Sequence, residues 1–226
     1  MSKGGRVKGS GVLINENTIV TVGHNVVNNR GHATEVTITA GLGADDDELE
    51  SRSGIKVVVH HKWWTQRCDV NDLAFIRFEA PFQTVQPMSY IQTPITSEEI
   101  DVTIYGYPSD MPSHDPGNRL CFSTSPVRYT YASSGILEHE GDTEAGNSGG
   151  PLINIAGEVI ALHQGCRRNA NKAVMANQAV VIDHNGNDFQ AFIDVLDHTS
   201  QKEIGKVKKL RKLNDAQGYV FSWPAI

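Results

Sequence analysis

Gly146-Asn147-Ser148-Gly149-Gly150-Pro151 is the stretch around which the rest of this 226-residue chain is organised. A serine set among small, turn-forming residues lies where the backbone bends tightly, so its hydroxyl is exposed and the neighbouring amides are free to point at a substrate oxygen. Serine alone is a weak nucleophile. It needs a histidine to take its proton and a carboxylate to orient that histidine. Upstream, His24 closes the β-branched run Ile19-Val20-Thr21-Val22-Gly23-His24, and Asp72 directly precedes the apolar run Leu73-Ala74-Phe75-Ile76. The chain order is His, Asp, Ser. Asp69 competes for the carboxylate role, but Asp72 abuts a strand expected to be buried and rigid, and is the choice.

With these three contexts in this order, the chain resembles the trypsin/chymotrypsin family of serine proteases from about Gly9 to Leu196. Within that family it looks closest to the glutamyl endopeptidase branch. That likeness rests on Gly106-Tyr107-Pro108, Leu137-Glu138-His139-Glu140-Gly141-Asp142-Thr143, Leu162-His163-Gln164-Gly165 and Ala173-Val174-Met175-Ala176-Asn177. The resemblance implies that Ser148 is the nucleophile, His24 the general base and Asp72 the residue that orients it. It also implies an oxyanion hole from the backbone amides of Gly146 and Ser148, and an acid-binding pocket with donors from Thr143 and His163. Protein or peptide substrates follow, with no cofactor.

Several positions depart from the family pattern. Asn147 stands where relatives carry an aspartate that pairs with a newly freed N-terminal amine, so activation by that route is not expected. Asn25 stands where many extracellular relatives have a disulfide cysteine. Few residues precede the first strand, so the N-terminal segment with which some glutamyl endopeptidases help bind the acidic side chain is expected to be missing. Arg167 or Arg168 would add positive potential to the pocket, whereas Asp142 and Glu144 would oppose an acidic side chain if they faced it. Two other readings compete: an HtrA-like protease cutting after small aliphatic residues, which Gly157-Glu158-Val159-Ile160 also resembles, and a non-catalytic peptide-binding or protein-binding module on the same fold.

The strand pattern predicts an all-β fold. Short β-rich runs separated by turn residues recur from Val12 to Ile182, and the resemblance implies two antiparallel Greek-key β-barrels. The expected divisions are 1–85 for the first barrel, carrying His24 and Asp72; 86–187 for the second, carrying Ser148, the oxyanion hole and the pocket; and 188–226 for a closing helix and a basic tail. Pro81, Pro87 and Pro94 mark the connector, and the substrate is expected in the cleft between the barrels. In Asp188 to Leu196 the period changes: Phe189, Phe192, Ile193 and Leu196 fall on one helical face.

Charge and composition exclude more than they assign. The formal net charge of -6 argues against a nucleic-acid-binding role, and no apolar run reaches membrane-spanning length. The acidic run Asp45-Asp46-Asp47-Glu48-Leu49-Glu50 lies where relatives bind calcium but lacks the ligand spacing of a known motif, so it reads as a solvated loop. His60 and His61 have no third ligand at useful spacing and read as structural or surface residues; no metal is expected. The odd set Cys68, Cys121 and Cys166 leaves at most one pair. No signal-peptide core follows Lys3, Arg6 and Lys8, which with the few cysteines favours the cytoplasm, while the resemblance favours secretion. The tail 199–226 carries Lys202, Lys206, Lys208, Lys209, Arg211 and Lys212, and reads either as a solvated extension or as a segment that contacts an acidic surface, on its own barrels or on a partner.

Overall fold

In the computed structural model, residues 7–29, 31–40, 50–109, 119–130, 133, 135–171, 173–199, 208–209 and 218–222 are described. The acidic run 45–49, most of the polar loop after Ser109 and most of the basic tail lie outside them. The strands are β1 (Val12–Asn15), β2 (Thr18–Thr21), β3 (Val27–Asn28), β4 (Gly31–His32), β5 (Thr37–Ala40), β6 (Glu50–His60) and β7 (Ala74–Phe78). They continue with β8 (Ile100–Gly106), β9 (Cys121–Val127), β10 (Ile136–His139), β11 (Pro151–Asn154), β12 (Val159–Arg168), β13 (Val174–Val181), β14 (Lys208–Lys209) and β15 (Gly218–Ser222). Two helices, α1 (His61–Gln66) and α2 (Phe189–His198), complete the described chain.

Apart from the small β3–β4 ribbon, these strands form two curled antiparallel sheets, so the fold is all-β with a C-terminal helix, as expected. The first runs β1-β2-β7-β6-β15-β14, with β5 also on β6; the second runs β10-β13-β12-β11-β8-β9. In the second, β9 returns beside β10 and curls the sheet towards closure. The connector after β7 is stapled across both: Met88 N–H donates to Leu13 O at 2.8 Å, and Thr93 N–H to Ile182 O at 3.2 Å.

Helix α2 seals the junction. Its predicted face is the buried one, with Phe189, Phe192 and Leu196 at 1% exposure or less. Phe75 of the first sheet meets Phe189 edge-on at 4.9 Å and stacks on Phe192 at 5.3 Å. Each fully buried ring of this kind contributes about 1.5–3 kcal/mol through burial alone. Asp188 Oδ1 caps the helix by accepting from Ala191 N–H at 2.9 Å. The buried Lys56 ammonium donates to Leu196 O and Thr199 O at the other end, where the helix dipole is negative.

Three elements differ from the sequence reading. The pattern around Leu120 to Ser123 and Val127 to Ala132 reads as two strands, but a single strand, β9, runs through Pro126; β9 is the outer strand of its sheet path, where a missing N–H is tolerated. The short helix α1 was not anticipated. Nor was β15, which pairs along β6 from Gly218↔His60 to Ser222↔Lys56 and buries Val220 in the core shared with α2. Residues 218–222 join the sheet through backbone pairing rather than through the basic side chains of the tail, most of which lie outside the described residues. The three cysteines are free thiols.

Candidate active site

The register of β2 against β7 brings His24 and Asp72 together. Thr21 pairs with Ala74, so three residues onward on one strand and two back on the other meet at the same end of the ladder. His24 lies in a tight turn, Gly23–Asn25, and Asp72 closes another, Asp69–Asn71. The Asp72 carboxylate is 1% exposed and makes three bonds: Oδ1 accepts His24 N–H at 2.7 Å, and Oδ2 lies 2.6 Å from His24 Nδ1 and accepts from Gln164 Nε2 at 3.2 Å. Because a carboxylate only accepts, His24 Nδ1 carries a proton, and in the neutral imidazole the lone pair then lies on Nε2. Asp69, the rival carboxylate, makes no side-chain bond to His24 among the described residues; its backbone carbonyl accepts from Gln164 Nε2 at 3.1 Å and from Asp72 N–H at 3.2 Å.

Ser148 is placed by the second sheet. Beyond the pair Pro151↔Leu162, the β11–β12 ladder continues through Gly149 N–H to His163 O at 2.7 Å and His163 N–H to Gly150 O at 2.8 Å. That continuation sets Ser148 opposite Gln164, whose carbonyl accepts the Ser148 hydroxyl at 3.0 Å. Among the described residues no hydrogen bond joins Ser148 Oγ to His24. The two sheets are tied at this point by Asn25 Nδ2, which donates to Ser148 O at 2.9 Å.

The amides around Ser148 divide into two groups. Those of Asn147, Gly149 and Gly150 donate to Glu144 O, His163 O and Asn147 O. Those of Gly146 and Ser148 have no partner among the described residues. Two unpaired donors flanking a serine are what a developing oxyanion requires. Gly146 and Gly149 reach this shape at φ 103° and 91°, in the left-handed region.

Asn147 is buried with its Oδ1 unpartnered, pressed on Gly106, where an added Cβ would lie 2.6 Å from that oxygen. An aspartate here would be a buried charge without a counter-ion, so the neutral amide suits this packing.

His163 and His139 are both 2% exposed, and His139 Nε2 lies 3.0 Å from His163 Nδ1, leaving His139 Nδ1 without a partner among the described residues. Thr143 is half-buried in the loop before Ser148 and is not hydrogen-bonded to His163 among the described residues. Asp142 and Glu144 are exposed, and Arg167 is engaged by Glu138 at 2.7 Å. Sequence reasoning overlooked Gln164, quoted only as the neighbour of a histidine, and His139; neither stands in a pattern that distinguishes it from an ordinary strand residue.

Burial holds three histidines neutral, lowering His60 to about 4, His139 to about 4 and His163 to about 3. An unfolded chain protonates each near pH 6.5, so between that pH and the lowered values it binds more protons than the fold. Stability is therefore full above about pH 6.5 and falls on acidification, by about 1.4 kcal/mol per pH unit for each histidine within the window. Asp69 and Asp183, raised by burial, act in the opposite sense and offset part of the loss. The urea midpoint is expected to be lower at pH 5 than at pH 7. An equal or higher midpoint at pH 5 would contradict the neutral burial.

Comparison with known proteins decides the family: the Trypsin family profile matches residues 2–184. The chain belongs to the trypsin family. Among curated trypsin-like relatives, the glutamyl endopeptidase of Staphylococcus epidermidis is 26% identical over 184 residues, covering 78% of this chain and 61% of that protein. The glutamyl endopeptidase of Staphylococcus aureus strain MRSA252 is 26% identical over 178 residues, covering 76% of this chain and 46% of that protein. The chain thus spans about half to three fifths of these relatives. A solved structure of a Glu endopeptidase in complex with MPD superposes with a TM-score of 0.70 at 22% identity, over 87% of this chain and 88% of the other, and shows the shared trypsin fold.

Proposed function

We propose that this trypsin-family protein is a serine endopeptidase that cuts peptide bonds after glutamate, and secondarily after aspartate. The observation that carries the reading is the 2.6 Å bond between His24 Nδ1 and Asp72 beside a serine whose flanking amides are unpaired. For attack, Ser148 Oγ leaves Gln164 O by rotation about its side chain and gives its proton to His24 Nε2 as it bonds to the substrate carbonyl carbon. The oxygen of that carbonyl takes up the negative charge in reach of the Gly146 and Ser148 amides. His24 then returns the proton to the leaving amine, and water hydrolyses the acyl-enzyme by the same route. Gln164 holds the carboxylate in place from the second sheet.

The acidic preference rests on His163, with Thr143 as the second donor, and on the likeness to proteins named glutamyl endopeptidases. The buried, neutral His139–His163 pair lacks only a negative partner. A substrate carboxylate against His163 supplies one and favours the protonated imidazole, so acidic substrates bind with uptake of a proton.

His163→Phe, measured on paired peptides differing only in Glu or Gln before the cut, is expected to lower kcat/KM for the Glu peptide at least tenfold more than for the Gln peptide. An unchanged Glu/Gln ratio would remove His163 from the pocket.

A further inference from the structure

The amides of Gly146 and Ser148 can serve as oxyanion donors only if the loop holding them cannot turn. A trans peptide places its N–H opposite its C=O, so whatever grips the carbonyl of one residue aims the amide of the next. The carbonyls of Ala145, Gly146, Asn147 and Ser148 are all gripped. Ala145 O accepts from Ser109 N–H at 2.7 Å and from Ser109 Oγ at 2.8 Å, which aims the amide of Gly146. Gly146 O accepts from Ser10 Oγ at 2.8 Å. Asn147 O accepts from Gly150 N–H at 2.9 Å, which aims the amide of Ser148, and Ser148 O accepts from Ser10 N–H at 2.8 Å.

Ser10 is 7% exposed and every polar group it has is used. Its hydroxyl also accepts from Tyr107 N–H at 3.0 Å, and its carbonyl accepts from Thr21 Oγ1 at 2.7 Å. It therefore fastens the serine loop both to β2 of the first sheet and to the Gly106-Tyr107-Pro108 segment of the second. Gly146, with no side chain and a positive φ, is the softest point of the loop, and it lies between the two serines' grips.

We propose that Ser10 and Ser109 are positioning residues that clamp the peptide units on either side of Gly146, presetting the oxyanion hole with no ion pair beneath the loop at Asn147. This rests on Ser148 being the nucleophile. The clamp acts on the charge that develops in the transition state, so its loss appears in kcat and leaves ground-state binding alone.

The test is kinetics of Ser10→Ala, Ser109→Ala and the double variant, with rates expressed per active site titrated by a serine-directed phosphonate, so that misfolded molecules drop out. Small displacements of a donor cost on the order of tenfold to a hundredfold. Ser10→Ala is expected to lose at least about tenfold in kcat with KM within about twofold, and Ser109→Ala less, because its N–H remains. Affinity for a peptide aldehyde, whose adduct places an oxyanion in the hole, should weaken in the same ratio, and Ser10→Thr should restore most of both. If Ser10→Ala does not fold, Ser10→Gly leaves space for a water to span Tyr107 N–H and Gly146 O, and should still lose more than twofold. Variants within twofold of wild type in kcat and aldehyde affinity would overturn the clamp. Ser148→Ala is the separate control: hydrolysis persisting in that variant would instead overturn the nucleophile.

Discussion

Asp72→Asn is expected to lower kcat about ten-thousandfold while leaving the fold intact, the magnitude known for the same substitution in the trypsin family's own Ser-His-Asp triad. The reason is a conflict of donors. Asp72 accepts a hydrogen bond at each oxygen, from His24 N–H at Oδ1 and from His24 Nδ1 and Gln164 Nε2 at Oδ2. An asparagine keeps one acceptor, and the buried backbone N–H of His24 claims it. The amide NH2 then faces Nδ1, forcing the imidazole proton onto Nε2, where it meets the serine instead of a lone pair. Steady-state kinetics, with thermal unfolding to check the fold, measures this. A loss smaller than about tenfold would mean that Asp72 does not set the tautomer.

Gly149→Ala is expected to abolish both activity and ordinary stability. A Cβ there would lie 2.2 Å from Ser10 O and 2.2 Å from Thr21 Oγ1, at φ 91°. Ser10 O belongs to backbone already fastened to the serine loop and cannot retreat, so the strain adds to the overpacking, together more than about 3 kcal/mol. Gly157→Ala is the matched control. Gly157 also has a positive φ, 81°, but nothing lies within 4 Å of its added Cβ, so only the backbone term of about 1 kcal/mol applies. Chemical denaturation of the two variants separates the effects; equal destabilisation would show that the close approach of Gly149 to Ser10 does not matter.

What could be read from the residues alone follows from how local each signal is. The run from Pro151 to Asn154, apolar and closed by the turn at Gly157, reads as a strand from the residues alone and is one. The helix after Asp188 is legible in Phe189, Phe192, Ile193 and Leu196, which fall on one helical face. Each residue of the proposed triad could be nominated because each sits next to a strand with a strong β pattern. The grip on the loop is another matter. Ser10, Ser109 and Gln164 act through partners distant along the chain, as in the bond from Ser10 to Gly146 across 136 positions. Their roles depend on the register between strands, which no local pattern contains. Strand β15 was hidden for a related reason: its glycine and basic surroundings read as a tail, and only the open edge of β6 makes it a strand.

The most direct measurement is digestion of an unbiased peptide mixture by the wild type and by Ser148→Ala side by side, with the new C-termini read by mass spectrometry. The account predicts new ends concentrated at glutamate, fewer at aspartate, in the wild type only. Cuts that appear equally with Ser148→Ala, or serine-dependent cuts with no enrichment of acidic residues, would contradict it.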